Sequence, residues 1–296
     1  MKVTGFTFVR NARILDYPVE QSIRSVLPLV DEFIVAVGES EDDTLEIIQK
    51  IAPNKIRILQ TRWDENLRKE GKVLAAETNK ALKAVPPDSD WAFYIQADEV
   101  VHEEDYPAIR RAMETYKDCS EVDGLLFDYL HFFGSYDWIG ASYHWYRHEV
   151  RIIRPGRGIY SYRDAQGFRK PGDKKLRVVP SGGRIFHYGW VRDPVALERK
   201  QRIFVDFWKE EGQLNPDLNH HKAYDYGQEP RALKKYKGTH PAVMDERIRQ
   251  KNWPFNPPEG YRRLSPKDRI KAFLEKYTGW YPGFKNYRLI RHPHCD

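Results

Sequence analysis

A chain of 296 residues that is 41% hydrophobic and 31% charged, with a mean hydropathy of −0.73, has the composition of a folded globular protein. No apolar run approaches the roughly 20 residues that cross a bilayer, and the first residues lack the basic-then-apolar pattern of a secretory signal, so a cytoplasmic location is expected. The formal charge of +6 suits either a polyanionic partner or a solvated basic surface, and no nucleic-acid-binding motif accompanies it. With Cys119 and Cys295 alone, neither a disulfide framework nor a cysteine zinc site is expected.

Short apolar runs alternate with amphipathic stretches through the first half, the pattern of a mostly parallel sheet covered by helices. Val3 to Val9 reads as the first strand. A helix follows on Val19, Ile23, Val26 and Leu27, behind Asp16 and Pro18. Phe33 to Val37 is the second strand; Ser40 and Asp43 have the spacing of a capping box for a helix buried through Leu45, Ile48 and Ile51. Ile56 to Leu59 forms a third strand, the helix from about Lys69 to Val85 ends at Pro86-Pro87, and Trp91 to Ile95 is a continuous apolar strand. Leu125 to Phe133, Val150 to Ile153, Arg177 to Val179 and Arg184 to Tyr188 read as strands of a mixed sheet. Val195 to Lys209 is the clearest later helix, and the chain then turns polar, proline-rich and aromatic.

Ligands of open α/β sheets bind beyond the carboxyl ends of the strands, which directs attention to four segments: Arg10-Asn11, Gly38 to Thr44, Trp63-Asp64 and Gln96 to Glu99. Asp98 and Glu99 are adjacent carboxylates of the kind a hard divalent cation needs when it also grips a diphosphate; an acidic turn before a helix fits them as well. His187 follows a late strand, where an imidazole could complete such a site or serve structure alone. His220, His221, His240, His292 and His294 lack zinc spacing and read as surface residues.

These blocks together, Phe8-Val9-Arg10-Asn11, Val35 to Thr44, Gly71 to Asn79 and Tyr94-Ile95-Gln96-Ala97-Asp98-Glu99, resemble the ordered signature of the family-2 glycosyltransferases over residues 1 to about 110. The resemblance implies a GT-A type nucleotide-sugar domain, with helices on both faces of a mostly parallel or mixed sheet. It implies a donor site bordered by Arg10, Asn11, Gly38, Ser40, Asp42, Trp63, Gly71, Asn79, Gln96 and Arg151. It also implies a divalent metal, Mn or Mg, held by Asp98, Glu99 and His187. Two positions depart from the family pattern: Val37 and Gly38 replace the usual aspartate after the second strand, and Gln96 replaces the first aspartate of D-x-D.

The second half resembles, less closely, the branch acting on lipopolysaccharide core and other cell-surface glycans. There Asp164 falls where the catalytic base stands, although Asp164 before Gly167 also fits a turn. Arg151, Arg154 and Arg163 are candidate phosphate contacts. Trp138, Tyr143, His144, Trp145 and Tyr146 suit either an acceptor platform or an aromatic core strand. The expected organisation is a glycosyltransferase domain over 1–192, split at about 110 into nucleotide and acceptor halves, and a helical, aromatic-rich extension over 193–296. Trp253 to Tyr261 and Trp280 to Lys285 are compatible with peripheral contact at the inner face of a membrane, or with packing on the domain. The expected activity is inverting transfer from a nucleotide-sugar donor to a glycan or lipid-linked acceptor. A degenerate, non-catalytic nucleotide- or glycan-binding protein is the alternative. A nucleotidyltransferase would carry glycines in the loop after the first strand, and Arg10 to Leu15 has none.

Overall fold

The computed structural model describes residues 1–64, 66–67, 69–206, 222–227, 232–257 and 259–295. Strand and helix alternate through β1 (Val3–Val9), α1 (Val19–Val26), β2 (Glu32–Gly38), α2 (Thr44–Ile51), β3 (Ile56–Thr61), α3 (Lys72–Lys83) and β4 (Trp91–Tyr94). Then come β5 (Glu99–Val101), α4 (Tyr106–Thr115), β6 (Gly124–Phe133), β7 (Ser135–Gly140) and β8 (His148–Ile153). Three short strands, β9 (Tyr160–Ser161), β10 (Phe168–Lys170) and β11 (Lys174–Lys175), form a small separate sheet. The chain continues through β12 (Arg177–Trp190), α5 (Pro194–Asp206), β13 (Leu233–Lys235), α6 (Asp245–Arg249), α7 (Pro266–Thr278) and β14 (Arg288–Leu289).

The main sheet is mixed, as the α/β reading requires. β1 pairs in parallel with β2 on one side and β4 on the other, and β3 lies outside β2. β8 then runs antiparallel to both β4 and β6, and β12 runs parallel to β6. The apolar strands form because both sheet faces are covered: Phe6, Phe33, Trp91, Phe93 and Phe127 are fully buried. Burying each such ring stabilises the fold by about 1.5–3 kcal/mol. The one polar atom of the Trp91 ring, Nε1, is matched by the Met113 carbonyl at 3.0 Å.

Several sequence expectations are corrected. Arg177 to Tyr188 is one long strand rather than two, because bulges between Pro180 and Arg184 and between His187 and Trp190 absorb the breaks in pattern. β5 and β7 had no signal of their own. The capping box does not form; Ser40 Oγ donates to the Gly38 carbonyl, and Asp42 takes the Thr44 N–H instead. The last residues expected in the helix from Val195, 207–209, lie outside the described residues, as do His220 and His221. The two cysteines pair as a Cys119–Cys295 disulfide, tying the segment after α4 to the C-terminal residues. Beyond residue 192 the chain returns to the main sheet, with β13 on β7 and β14 on β12.

Candidate functional site

Since β2 and β4 flank β1, the crossovers depart to opposite sides and leave a crevice at the carboxyl ends of β1 and β4. A cavity of about 740 Å³ opens there, floored by Val9, Arg10, Asn11, Gln96 and Asp98. His131, Trp145, Tyr146 and His187 form one wall, Asp164 and Gln166 another, and Lys200 and Phe204 of α5 border it.

Asp98 is the electrostatic centre. Its Oδ2 accepts from Arg192 Nη2 at 2.8 Å and Lys200 Nζ at 3.0 Å, and all three side chains are buried. Burial alone would raise the carboxyl's pKa, but the surrounding cations, Lys200 foremost, outweigh it and hold the group well below the usual aspartate range. Burial and then the Arg192 charge pull Lys200 down to about 8, against the attraction of Asp98. Arg192 is locked by the carbonyls of Gly189 and Leu15 and lies over the Tyr17 ring.

Two histidines form a proton-ordered pair beside this group. His131 Nε2 lies 2.8 Å from the Tyr146 carbonyl, which can only accept, so this nitrogen carries the proton. His131 Nδ1 is then an acceptor and takes the Nδ1 proton of His187 at 3.2 Å. Burial keeps both rings neutral by lowering their pKa values. His187 Nε2 is left with a lone pair, 3.8 Å from Asp98 Oδ1. Gly189 allows the packing: a Cβ there would lie 2.5 Å from His187 Cε1 and 2.9 Å from Asp98 Oδ2. Gly189→Ala is expected to destabilise by the 1–3 kcal/mol typical of overpacking, read as a fall of several degrees in Tm.

Glu99 does not join Asp98. Gln96 to Glu99 is a turn closed by the Glu99 N–H on the Gln96 carbonyl at 3.0 Å; Asp98 lies within the turn, and Glu99, which opens β5, turns to the interior. There Arg151 pairs with it twice, at 2.8 and 2.7 Å, and Tyr129 donates at 2.7 Å. What lines the cavity here is Asp98, His187 and Lys200, with Arg192 buried behind them. Among the described residues no group of three His, Cys, Asp or Glu side chains could hold an ion. The expected set of Asp98, Glu99 and His187 therefore does not fit Mn²⁺ or Mg²⁺.

The other expected residues divide into cavity lining and scaffold. Arg10, Asn11, Trp63 and Gln96 line the cavity. Asp42 instead accepts the N–H groups of Arg13 and Ile14, both at 2.9 Å, and Ser40 that of Asn11 at 3.1 Å. Both fasten the loop after β1 to the loop after β2. Gly38 lies against the Trp63 ring, while Gly71, at φ +67, meets the backbone of Asp164. Asn79 exchanges two 2.8 Å hydrogen bonds with the backbone of Ser161, far from any phosphate role. Arg151 is spent on Glu99, and Arg154 on the carbonyls of Val122, Tyr116 and Cys119. Asp164 is half-buried in the cavity wall, and burial raises its pKa above the ordinary value. His144, Trp145 and Tyr146 of the aromatic cluster also reach the cavity.

Lys200, Arg192 and His131 escaped sequence reasoning. Lys200 had a usable signal, since it falls within the buried stripe Ala196, Leu197, Ile203 of α5, where a lysine needs a partner.

No family model and no curated protein sequence matches this chain. Among solved structures, TarS of S. aureus is similar at 14% identity and a TM-score of 0.40, over 69% of this chain and 39% of TarS. Glucosyl-3-phosphoglycerate synthase of Mycobacterium tuberculosis, in complex with Mn²⁺, UDP and glucosyl-3-phosphoglycerate, is similar at 20% identity and a TM-score of 0.31, over 43% of each chain. The 4-diphosphocytidyl-2C-methyl-D-erythritol synthase of Anaerococcus prevotii is similar at 15% identity and a TM-score of 0.31, over 52% of this chain and 71% of that one.

Proposed function

We propose that this chain is an inverting glycosyltransferase that moves a sugar from a nucleotide-sugar donor to a glycan or lipid-linked acceptor. The observation that carries the reading is one cavity, at the strand-order switch, lined by both a buried lysine, Lys200, and a half-buried carboxyl raised by its surroundings. Lys200 supplies positive charge for a diphosphate, Arg192 behind the cavity helps to hold Asp98 in place, and Asp164 supplies a base. The ordered blocks of the family-2 resemblance point to the same donor class.

In the transfer step the acceptor hydroxyl oxygen attacks the anomeric carbon from the face opposite the diphosphate. Its proton passes to Asp164 as the new C–O bond forms. The bond to the diphosphate oxygen breaks, and the electron pair leaves with that oxygen. Lys200 stabilises the charge that develops there, so no step is routed through a metal ion. Trp145 and Tyr146 line the cavity, where aromatic rings suit the C–H faces of a sugar.

The test is a thermal-shift and calorimetric screen of nucleoside diphosphates, nucleotide sugars and inorganic pyrophosphate in EDTA, since a ligand of the folded state raises apparent stability. We expect metal-free binding that weakens tenfold or more in Lys200→Met, and that weakens in wild type as pH rises through about 8 and Lys200 loses its proton. Binding without turnover of any donor would favour the non-catalytic reading. Absence of binding by every compound would remove the donor site altogether.

A further inference from the structure

α7 is built with its polarity reversed. Ile270, Phe273, Leu274 and Tyr277 recur at i, i+3, i+4 and i+7, the stripe that a helix normally turns to the core. Here each is 37–66% exposed, and no residue of α7 is buried. The polar side faces the protein instead: Glu275 accepts from Tyr143 and, at 2.8 Å, from Arg147, and Lys271 lies over the Tyr143 ring. The helix is well made, with Ser265 accepting the Asp268 N–H at its start and Gly279, at φ +65, closing its end. The apolar surface continues past the cap through Trp280 and Phe284, both more than half exposed.

Charge is concentrated on the same segment. Residues 259–291 hold nine Lys and Arg against three Asp and Glu, which is the whole net charge of +6; the rest of the chain has forty of each sign. Lys267 borders the apolar stripe on one side, and Arg269 and Lys276 border it on the other. Among the described residues no helix is long and apolar enough to cross a membrane. An apolar stripe with aromatic residues and basic margins, held outward by its polar side, matches the headgroup boundary of an anionic bilayer.

We infer that α7, with Trp280 and Phe284, docks the protein on an anionic lipid surface. This stands independently of the transferase reading. α7 is fastened through Tyr143 and Arg147 to the same short segment that carries His144, Trp145 and Tyr146 to the cavity, so docking would bring that wall of the cavity toward the lipid.

The test is sedimentation of the full chain with vesicles of phosphatidylcholine alone, or mixed equally with phosphatidylglycerol, at low and high salt. The expected result is binding at least about tenfold stronger to the anionic vesicles and weakened by salt. Phe273→Glu combined with Trp280→Glu is expected to abolish it with an unchanged melting curve, because both rings are exposed. Lys267→Gln, Arg269→Gln and Lys276→Gln together leave the apolar stripe intact and are expected to remove the preference for anionic lipid. Failure of the wild type to bind either vesicle would overturn the inference. So would self-association seen by light scattering that Phe273→Glu dissolves in a protein that ignores vesicles, since the stripe would then be an interface between copies.

Discussion

Asp164→Asn lowers the rate of sugar transfer by about two to four orders of magnitude and leaves pyrophosphate binding intact, the range that removal of a positioned general base produces. The separation of effects follows from geometry, because Lys200 sits on α5 beside Asp98 while Asp164 stands in the segment that meets Gly71. Asparagine keeps the shape and cannot take the acceptor's proton. The pH profile supplies an independent reading. Burial raises the Asp164 carboxyl above its ordinary value, so the base is lost, and the rate with it, as pH falls through that raised value. In Asp164→Asn this acid limb disappears from the residual rate. A variant with full activity, or one that loses pyrophosphate binding in step with activity, would show that Asp164 only shapes the turn before Gly167.

Much of the donor half is legible in the sequence because buried parallel strands are continuous apolar runs, and the residues at their carboxyl ends are the ones the topology gathers. Val3 to Val9 and Trp91 to Ile95 thus locate the floor of the cavity before any coordinates. The roles at that floor are less legible. Asp98 and Glu99 read as a pair, whereas the turn from Gln96 into β5 separates them, one to the cavity and one to Arg151. Asp42, Ser40 and Asn79 have the residue types of ligand contacts, yet their oxygens are consumed by backbone N–H groups, a use that depends on loops brought together by the fold. The cations were hidden by distance along the chain, since Arg192 meets Asp98 across 94 residues and Lys200 across 102. The apolar stripe of α7 is visible as a stripe, but only the structure shows that it faces outward.

Asp98→Asn should cost about 3–5 kcal/mol of stability, the scale for removing one partner of a buried ion pair, read as a lowered urea midpoint. Arg192 cannot escape by losing its proton, and the carbonyls of Gly189 and Leu15 hold it where it is. Lys200 can, because burial already brings it to about 8 and the loss of Asp98 removes the attraction that sustains it. The sign of the pH dependence is fixed by Asp98 itself. Its pKa is lower in the folded protein than in the unfolded chain, so its contribution is fully present above the ordinary aspartate range and fades as pH falls through the depressed folded value. Wild type and variant should therefore differ fully at neutral pH and converge only in strong acid. Adding Lys200→Met to Asp98→Asn should recover part of the loss, a coupling of about 0.5–3 kcal/mol, because the double variant no longer buries an amine that has lost its partner. Strict additivity of the two changes would mean that Lys200 and Asp98 do not pair in solution, and the cationic diphosphate site would lose its foundation.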